Sequence, residues 1–391
     1  MNNFTFYSPT YYSFGKDTEN GAGKLIKQFG GSKALILYGG GSVKRSGLLD
    51  RVKEALDKES VPYVELGGVK PNPRDGLVYE AIDLIKKEGV DFILAIGGGS
   101  VIDTAKATAA GAVYDGDFWD FFSGKAIEKA LPIGAILTIA ASGSEGSPDI
   151  IMTKEEGMLK RAADSDFVRP KFAIMNPALT QTLPPYQTAC GVTDIMSHLY
   201  ERYITRTEDV EVTDRMIEGL LIALKNMGPR VMADPDDYEA RANIMWAGSL
   251  AHNNVCGVGR SQDWTSHQME HELSALYDCA HGAGMAMMMP AVFKFEMKQD
   301  VMRFANIAVR VWGCEMDPDD PEKTALAGIQ ALSDFTTSLG MPSKLSDIGG
   351  SEEDIPTLVH NLCRAGGRDG KVHCYMTLDE DDCTEIYRNL L

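Results

Sequence analysis

The side chains best suited to chemistry are carboxylates and imidazoles that recur at helical spacing in the second half of the chain. Asp194 and His198 are four residues apart, and His267 and His271 repeat that spacing. Side chains four apart on a helix share one face, so each pair can converge on one ligand. His281 follows soon afterwards, in a segment that reads as a turn. Three of these four imidazoles together with the carboxylate would form a donor set that suits Zn²⁺ or Fe²⁺.

The remaining histidines lack this clustering, and we interpret them as structural: His252, His360 and His373. The segment from His267 to His271 places its glutamate at position 270, which is the wrong place for the HExxH motif of zinc peptidases. This order argues against peptide hydrolysis.

Glycine-rich loops form a second candidate site. Two apolar runs end in the same tetrapeptide, made of Gly39, Gly40, Gly41 and Ser42 in the first copy and of Gly97, Gly98, Gly99 and Ser100 in the second. A third apolar run is followed by the hydroxyl groups of Thr138 and Ser142. Glycine lets the backbone approach a phosphate, and a helix that begins there offers free N–H groups. The loops therefore suit a dinucleotide pyrophosphate, although neither tetrapeptide continues as GxGxxG or as a P-loop, so tight turns without a ligand are the alternative.

The first glycine loop also bears on the choice of cofactor. NAD enzymes often place an acidic residue here to hold the ribose 2′-hydroxyl. In this chain Ser42 is followed by Lys44 and Arg45 instead. Small donors beside basic residues suit a 2′-phosphate, so the sequence favours NADPH over NADH.

The elements that must position these loops alternate between apolar runs and amphipathic stretches. The spacing predicts strands over 34–38, 61–66, 92–96, 131–141 and 172–175, with helices over 48–56, 81–87 and 101–110. This alternation is typical of a parallel sheet covered by helices, which binds ligands at the carboxyl ends of its strands. We also predict an N-terminal strand or hairpin over Phe4–Phe14 and a hairpin over Ile150–Arg161.

Beyond Pro184 and Pro185, helical periodicity replaces the β-branched runs. Helices are predicted over 217–224, 238–250, 265–276, 301–311, 324–339 and 355–363, and the acidic clusters near Asp317 and Asp379 read as solvated loops. The sequence thus predicts an α/β dinucleotide-binding domain over residues 1–185, followed by an all-helical metal-binding domain over residues 186–391.

Composition narrows the class of protein. The chain has 391 residues, of which 44% are apolar and 24% charged, as expected for a globular protein of two or three domains. Its net charge of −18 would repel nucleic acid and anionic membranes. The N-terminus lacks the pattern of a signal peptide, so we expect a cytoplasmic protein. The 7 cysteines include no CxxC pair, which argues against disulfides and thiolate zinc sites.

Together these motifs resemble the iron-containing (group III) alcohol dehydrogenases, in the branch of NADPH-dependent butanol dehydrogenases and aldehyde reductases. The resemblance covers essentially the whole chain and is carried by four segments: Gly97 to Asp103, Gly143 to Glu145, Gly191 to His198, and His267 to Leu273 with His281 and Gly282. It implies the dehydroquinate synthase-like fold, in which an α/β dinucleotide-binding domain precedes a helical metal-binding domain.

The resemblance also implies roles for individual residues. The metal ligands would be Asp194, His198, His267 and His281, which leaves His271 near the reacting carbons. The residues implied for the dinucleotide are Gly97 to Ser100 and Asp103 at the pyrophosphate, Thr138 and Ser142 over the phosphates, Lys160 at the nicotinamide ribose, and Asn72 and Ser42 near the adenosine. Ser142 departs from the threonine usual in the family but keeps the hydroxyl group.

The function expected from these features is reversible hydride transfer between NADP(H) and small aliphatic aldehydes such as butanal. One Fe²⁺ or Zn²⁺ per chain would act as a Lewis acid. His271 would either relay a proton or pack against the cofactor. We also expect a homodimer, because the apolar segment Phe4–Phe14 would otherwise be an exposed strand edge, and the resemblance points the same way.

Three alternatives stay open: an NAD- and zinc-dependent polyol dehydrogenase of the glycerol type, a dehydroquinate synthase-like lyase, and a non-catalytic dinucleotide sensor. The lyase needs basic residues around an acidic substrate, whereas the neighbours of the predicted ligands are Met196, Trp264, Met269 and Tyr277. A sensor would not need the complete set of metal ligands.

Overall fold

The computed structural model describes residues 1–365 and 368–391. It divides into two compact units, which we call the α/β unit (Tyr7–Leu183) and the helical unit (Met1–Phe6 with Pro184–Leu391). Among the described residues, no helix combines the length and the apolar character that crossing a membrane requires.

The α/β unit is built on a parallel sheet. Its strands are β1 (Tyr11–Phe14), β2 (Ala34–Tyr38), β3 (Tyr63–Leu66), β4 (Phe92–Gly97), β5 (Ile133–Leu137), β6 (Asp149–Lys154), β7 (Leu159–Asp164) and β8 (Phe172–Met175). Its helices are α1 (Ala22–Gln28), α2 (Ser42–Arg45), α3 (Leu48–Lys58), α4 (Asp75–Glu88) and α5 (Gly99–Gly111). The sheet order is β1-β8-β5-β4-β2-β3 with parallel neighbours, while β6 and β7 form a separate antiparallel hairpin.

The central strands form where the sequence is apolar without alternation. Every residue of β2, β4, β5 and β8 is buried, which is the pattern of strands covered on both faces. The structure confirms the predicted parallel sheet. It also confirms the hairpin predicted over Ile150–Arg161, whose turn contains Gly157 with a φ of +81°.

The order of the strands reverses at one point within this sheet. From β2 the chain proceeds to β3 on one side, and β4, β5 and β8 then follow on the other side. The carboxyl ends of β2 and β4 therefore meet where the strand order reverses, which is where open α/β sheets bind ligands. Each of these ends leads into one of the two glycine tetrapeptides.

The helical unit contains α6 (Pro185–Tyr203), α7 (Glu211–Ala233), α8 (Tyr238–His252), α9 (Thr265–Tyr277), α10 (His281–Glu296), α11 (Val301–Ile307), α12 (Pro321–Ser338), α13 (Ile355–Cys363) and α14 (Glu380–Arg388). The unit also contains a small antiparallel pair, β9 (Val372–His373) with β10 (Thr377–Leu378), so it is not all-helical as predicted. Helix α6 is buried from Thr188 to its end and forms the centre of the unit.

The N-terminal segment differs from its prediction. Only Tyr11–Phe14 forms a strand, and it pairs in parallel with β8, so residues 4–14 do not form a hairpin. Pro9 lacks a backbone donor and interrupts any longer strand. The backbone nitrogens of Met1 and Asn2 instead donate hydrogen bonds to carbonyl oxygens of the helical unit.

Two helices, α10 and α14, and the position of His281 differ from the sequence-based expectation. His281 is the first residue of α10 rather than part of a turn. That helix is apolar on nearly all sides and contains Pro290, so it shows no amphipathic period. The acidic cluster at Asp379 is not a loop but the capped beginning of α14. His252 ends α8 and is buried.

Candidate metal and dinucleotide site

A carboxylate and two imidazoles form a compact group in the helical unit. One ligand atom from each of Asp194, His267 and His281 lies within 4.8 Å of the other two. Oδ1 of Asp194 is 3.5 Å from Nε2 of His281 and 4.0 Å from Nε2 of His267. The three residues belong to α6, α9 and α10, so the group depends on how these helices pack.

Two buried glutamates contact the far side of these imidazoles. Nδ1 of His267 is in hydrogen-bond contact with Oε2 of Glu201, and Nδ1 of His281 with Oε2 of Glu270. Each contact leaves Nε2 of the ring facing Asp194. A carboxylate behind a histidine, with the other ring nitrogen pointing inward, is the usual surrounding of a metal-bound imidazole.

Burial holds the imidazoles of His267 and His198 in the neutral form. It lowers the pKa of His267 to about 3, with a further contribution from His281. It likewise puts the pKa of His198 well below its usual value. Burial also raises the pKa of Glu201 to about 8, and a divalent cation bound at the neighbouring imidazoles would lower it again by favouring the carboxylate. Neutral imidazoles keep the lone pair that a metal ion requires.

The residues present fit a divalent metal ion. Nε2 of His267 and Nδ1 of His198 are buried and have no hydrogen-bond partner within residues 1–365 and 368–391. A buried polar atom without a partner is costly, and coordination to a cation would satisfy it. Nitrogen and oxygen donors without a thiolate suit Zn²⁺ or Fe²⁺.

His198, the fourth predicted ligand, lies beside the compact group rather than within it. Its Nδ1 is 3.8 Å from Oδ1 of Asp194, and its ring centre is 4.7 Å from that of His267. The ring of His252 packs edge-on against it at 4.1 Å, and Arg202 contacts His252 in turn. Its role as a ligand therefore continues to rest on the resemblance.

His271 occupies the edge of the same group. It lies one turn after His267 on α9 and is partly exposed. Its ring centre is 6.4 Å from that of His267 and 5.8 Å from that of His281. It is therefore close to the predicted ligands without belonging to the compact group.

In the α/β unit, the structure brings the second and third loops together. The backbone nitrogen of Thr138 donates to the carbonyl oxygen of Gly97 at 3.0 Å. A Cβ added to Gly99 would lie 2.3 Å from Oγ of Ser142. At Gly98, the N-cap of α5, an added Cβ would lie 2.0 Å from Cγ2 of Ile139, so a larger residue does not fit. These contacts make a tight backbone surface at the start of α5.

The first tetrapeptide is more open. Gly41 and Ser42 are exposed, and Ser42 begins the short helix α2. Lys44 and Arg45 on that helix are also exposed, and Nζ of Lys44 lies 5.1 Å from the centre of the Tyr38 ring. The basic side chains thus remain near the end of β2.

Asp103 links α5 by hydrogen bonds to the third loop, which follows β5. Its Oδ1 accepts from Oγ of Ser144 at 2.5 Å, and its Oδ2 accepts from the backbone nitrogen of Ile151 at 3.0 Å. The neighbouring Lys106 donates to the carbonyl oxygen of Ser147 at 3.0 Å. Burial raises the pKa of Asp103 and lowers that of Lys106 to about 8. Asp103 therefore holds the loop that carries a predicted phosphate contact.

Asn72 and Lys160 form one pair. Nζ of Lys160 donates to Oδ1 of Asn72 at 3.3 Å, and both residues are buried. The resemblance assigns them to the adenosine and the nicotinamide ribose, respectively. These two roles at the dinucleotide stay predictions.

Sequence reasoning did not identify the two glutamates that contact the imidazoles. Glu201 lies seven residues after Asp194, which is two helical turns on the same face, and Glu270 lies three residues after His267. These spacings were the available signals. Such spacings are common in helices, and only the packing of α6, α9 and α10 shows which carboxylates reach an imidazole.

Comparison with known proteins identifies matching families over both units. The model for "Iron-containing alcohol dehydrogenase" matches residues 9–177, and the model for "Fe-containing alcohol dehydrogenase family, C-terminal" matches residues 188–391.

Individual relatives are similar over nearly their whole length. A probable NADH-dependent butanol dehydrogenase of Bacillus subtilis is 40% identical over 99% of both chains. The NADPH-dependent aldehyde reductase YqhD of Escherichia coli is 38% identical over 93% of both chains. The crystal structure of NADH-dependent butanol dehydrogenase A from Thermotoga maritima superposes with a TM-score of 0.95 at 40% identity, over 100% of this chain and 99% of that one.

Proposed function

Because the chain belongs to the iron-containing alcohol dehydrogenase family, we propose that it transfers hydride reversibly between NADP(H) and small aliphatic aldehydes such as butanal. The reduction consumes an aldehyde, NADPH and a proton and yields the primary alcohol and NADP⁺. The observation that carries this proposal is the buried group of Asp194, His267 and His281.

The dinucleotide and the metal ion would be bound by residues of different units. The backbone of Gly97, Gly98 and Gly99, with the hydroxyl groups of Thr138 and Ser142, would hold the pyrophosphate of the dinucleotide. Asp194, His267 and His281 would hold the metal, joined by His198 as the resemblance implies. When bound, the metal supplies a Lewis acid that polarises the aldehyde oxygen, and the reduced nicotinamide supplies the hydride.

His271 would transfer the proton that the reduction consumes. Its imidazole lies at the edge of the ligand group and is partly exposed, so it can exchange protons with solvent. We assign it the transfer of a proton, through water, to the alcohol oxygen.

The preference for NADPH is the finer part of the proposal. The exposed Lys44 and Arg45 beside the first glycine loop support it, because they can pair with a 2′-phosphate. The names of several similar proteins point instead to NADH. The aldehyde reductase of Escherichia coli shows that NADPH also occurs among the relatives.

One preparation tests the cofactor, the metal and the substrate class. We expect protein purified without chelator to carry about one Fe or Zn per chain and to oxidise NADPH when butanal is added. A chelator should slow turnover about 10³-fold, because loss of a Lewis acid costs several kcal/mol of transition-state stabilisation. Elemental analysis and the loss of reduced-nicotinamide absorbance provide the measurements.

The outcomes separate the alternatives. Faster turnover with NADH than with NADPH would overturn our interpretation of the loop from Gly39 to Ser42. Bound metal without turnover of any short aldehyde would favour the polyol or lyase alternatives. Tight dinucleotide binding without metal would favour a sensor.

We further propose that the protein is a homodimer joined through its N-terminal strand. Strand β1 lies at one end of the sheet order, and the aromatic side chains of Tyr7, Tyr11 and Phe14, in β1 or shortly before it, are exposed. An exposed apolar edge strand is normally covered by another chain or element.

Light scattering should give twice the chain mass of 42.6 kDa for the native protein. The double variant Tyr11→Glu/Phe14→Glu should give the mass of a monomer, because it places charges on the proposed contact. Phe167→Glu is the matched control, since Phe167 is an exposed aromatic residue of the same unit outside β1. A native monomer, or a double variant that remains dimeric, would contradict this assembly.

A further inference from the structure

We propose that Glu201 and Glu270 are positioning residues that set the affinity of the metal site, each by orienting one imidazole and by adding negative charge behind it. This inference rests on the metal site of the proposed function. Both glutamates lie outside the predicted ligand set. The expected effect is on metal affinity, which can be measured without turnover.

Glu201 connects α6 to α9. Its Oε1 accepts from the backbone nitrogen of His267 at 3.0 Å, and its Oε2 contacts Nδ1 of the same residue. The carboxylate is completely buried. Two contacts to one residue define both the position of the backbone and the rotation of the ring, so this glutamate orients His267 at two points.

Glu270 connects α9 to the beginning of α10. Its Oε2 contacts Nδ1 of His281, and its Oε1 accepts from the hydroxyl group of Ser274 one turn later on the same helix. This carboxylate is also completely buried. The bond from Ser274 restricts the carboxylate, and the carboxylate in turn restricts the imidazole.

The two contacts select the same tautomer. An acceptor at Nδ1 holds the proton there and leaves the lone pair on Nε2. Both Nε2 atoms face Oδ1 of Asp194, at 4.0 Å for His267 and 3.5 Å for His281. With Glu201 and Glu270 at the two Nδ1 atoms, the lone pairs of both Nε2 atoms are directed toward the carboxylate oxygen of Asp194, where a metal ion can bind all three.

Charge gives the arrangement a second effect. The carboxylates of Asp194, Glu201 and Glu270 are all buried, and burial keeps the imidazoles of His267 and His198 neutral, so these two rings contribute no positive charge. Arg202 is a basic side chain that acts on Glu201, but its Nη1 donates to the backbone oxygen of His198. Burying several carboxylates is costly unless positive charge offsets them, and a divalent cation at Asp194 would provide that offset.

The experiment measures metal affinity in Glu201→Gln and Glu270→Gln. Zn²⁺ and Co²⁺ are titrated into metal-free protein in competition with a chromophoric chelator, without aldehyde or dinucleotide. We expect each variant to bind both ions about 10- to 100-fold more weakly than the native protein. Glu296→Gln is the matched control, because Glu296 is a completely buried glutamate of α10. It should change affinity by less than about threefold, within the usual scatter of such effects.

Further variants separate orientation from charge. The amide oxygen of Gln can still accept from Nδ1, whereas Ala cannot, so Glu201→Ala and Glu270→Ala should bind more weakly than the Gln variants. The visible spectrum of bound Co²⁺ should change in the Ala variants, since it reports ligand geometry. If a Gln variant fails to fold, Glu201→Asp and Glu270→Asp retain the charge and should bind more weakly because the shorter side chain withdraws from Nδ1.

Equal affinity of the native protein and the glutamate variants would overturn the inference while leaving the proposed function intact. Equal losses in Glu296→Gln would also overturn it, because the effect would then be general to buried carboxylates. A native protein that binds neither ion would overturn both the inference and the metal-dependent function.

Discussion

Replacing Asp194 with alanine should give a folded protein that retains no stoichiometric metal and reduces butanal about 10³-fold more slowly. Asp194 supplies the carboxylate oxygen that faces Nε2 of both His267 and His281, at 4.0 and 3.5 Å. Without it the site presents imidazoles alone and loses its own negative charge. Elemental analysis, circular dichroism and the aldehyde assay measure the three parts of this prediction.

Two further variants test the specificity of that effect. Asp194→Asn preserves the shape of the side chain but removes the charge, so it should lose most of the metal as well. Thr193→Val alters the preceding buried residue of α6 and should retain both metal and turnover. Unchanged turnover in a metal-free Asp194→Ala protein would rule out a metal-assisted reaction.

Gly282→Ala should both destabilise the helical unit and weaken metal binding. A Cβ at this position would lie 2.1 Å from the carbonyl oxygen of Cys190 and 2.8 Å from its Cα, which are backbone atoms of α6. Backbone in the middle of a packed helix cannot move aside easily, so α10 would have to withdraw. His281 immediately precedes Gly282, and Asp194 lies one turn after Cys190, so this movement would separate two predicted ligands.

Overpacking of this kind typically costs about 1–3 kcal/mol, which denaturant unfolding of the metal-free protein should detect. The same sample should show weaker binding in a Zn²⁺ titration. Gly219→Ala is the control, because Gly219 lies within α7 and an added Cβ there meets no atom within 4 Å. That variant should be unchanged or stabilised by up to about 1 kcal/mol, as alanine favours a helix. A stable Gly282→Ala protein with native metal affinity would show that α6 and α10 do not depend on this close approach.

Local sequence was most informative where one physical effect dominated. The predicted strands at 34–38 and 172–175 coincide with β2 and β8, because short apolar runs bounded by turn residues suit strands buried on both faces. The helix predicted over 355–363 coincides with α13, which has one apolar face. Helix α10 escaped prediction because burial on nearly all sides removes the polar face that creates a period.

The dinucleotide site shows a similar division. The two glycine tetrapeptides could be recognised from the sequence, because three consecutive glycines directly after an apolar strand are typical of a backbone that approaches a phosphate closely. The strand order that places them side by side at the reversal between β2 and β4 depends on long-range pairing. The contact between Asn72 and Lys160 joins residues 88 positions apart, and local patterns carry no information about such a pair.

The sequence by itself determined which residue types were available for a metal and which helices carried them. Helical spacing was sufficient for this, because the geometry within one helix is nearly invariant. Only the tertiary structure decided that Asp194, His267 and His281 converge, that His198 lies beside them, and that Glu201 and Glu270 stand behind two imidazoles. The physical reason is that these contacts cross between α6, α9 and α10. Their distances are set by the close packing of whole helices rather than by the spacing within any one of them.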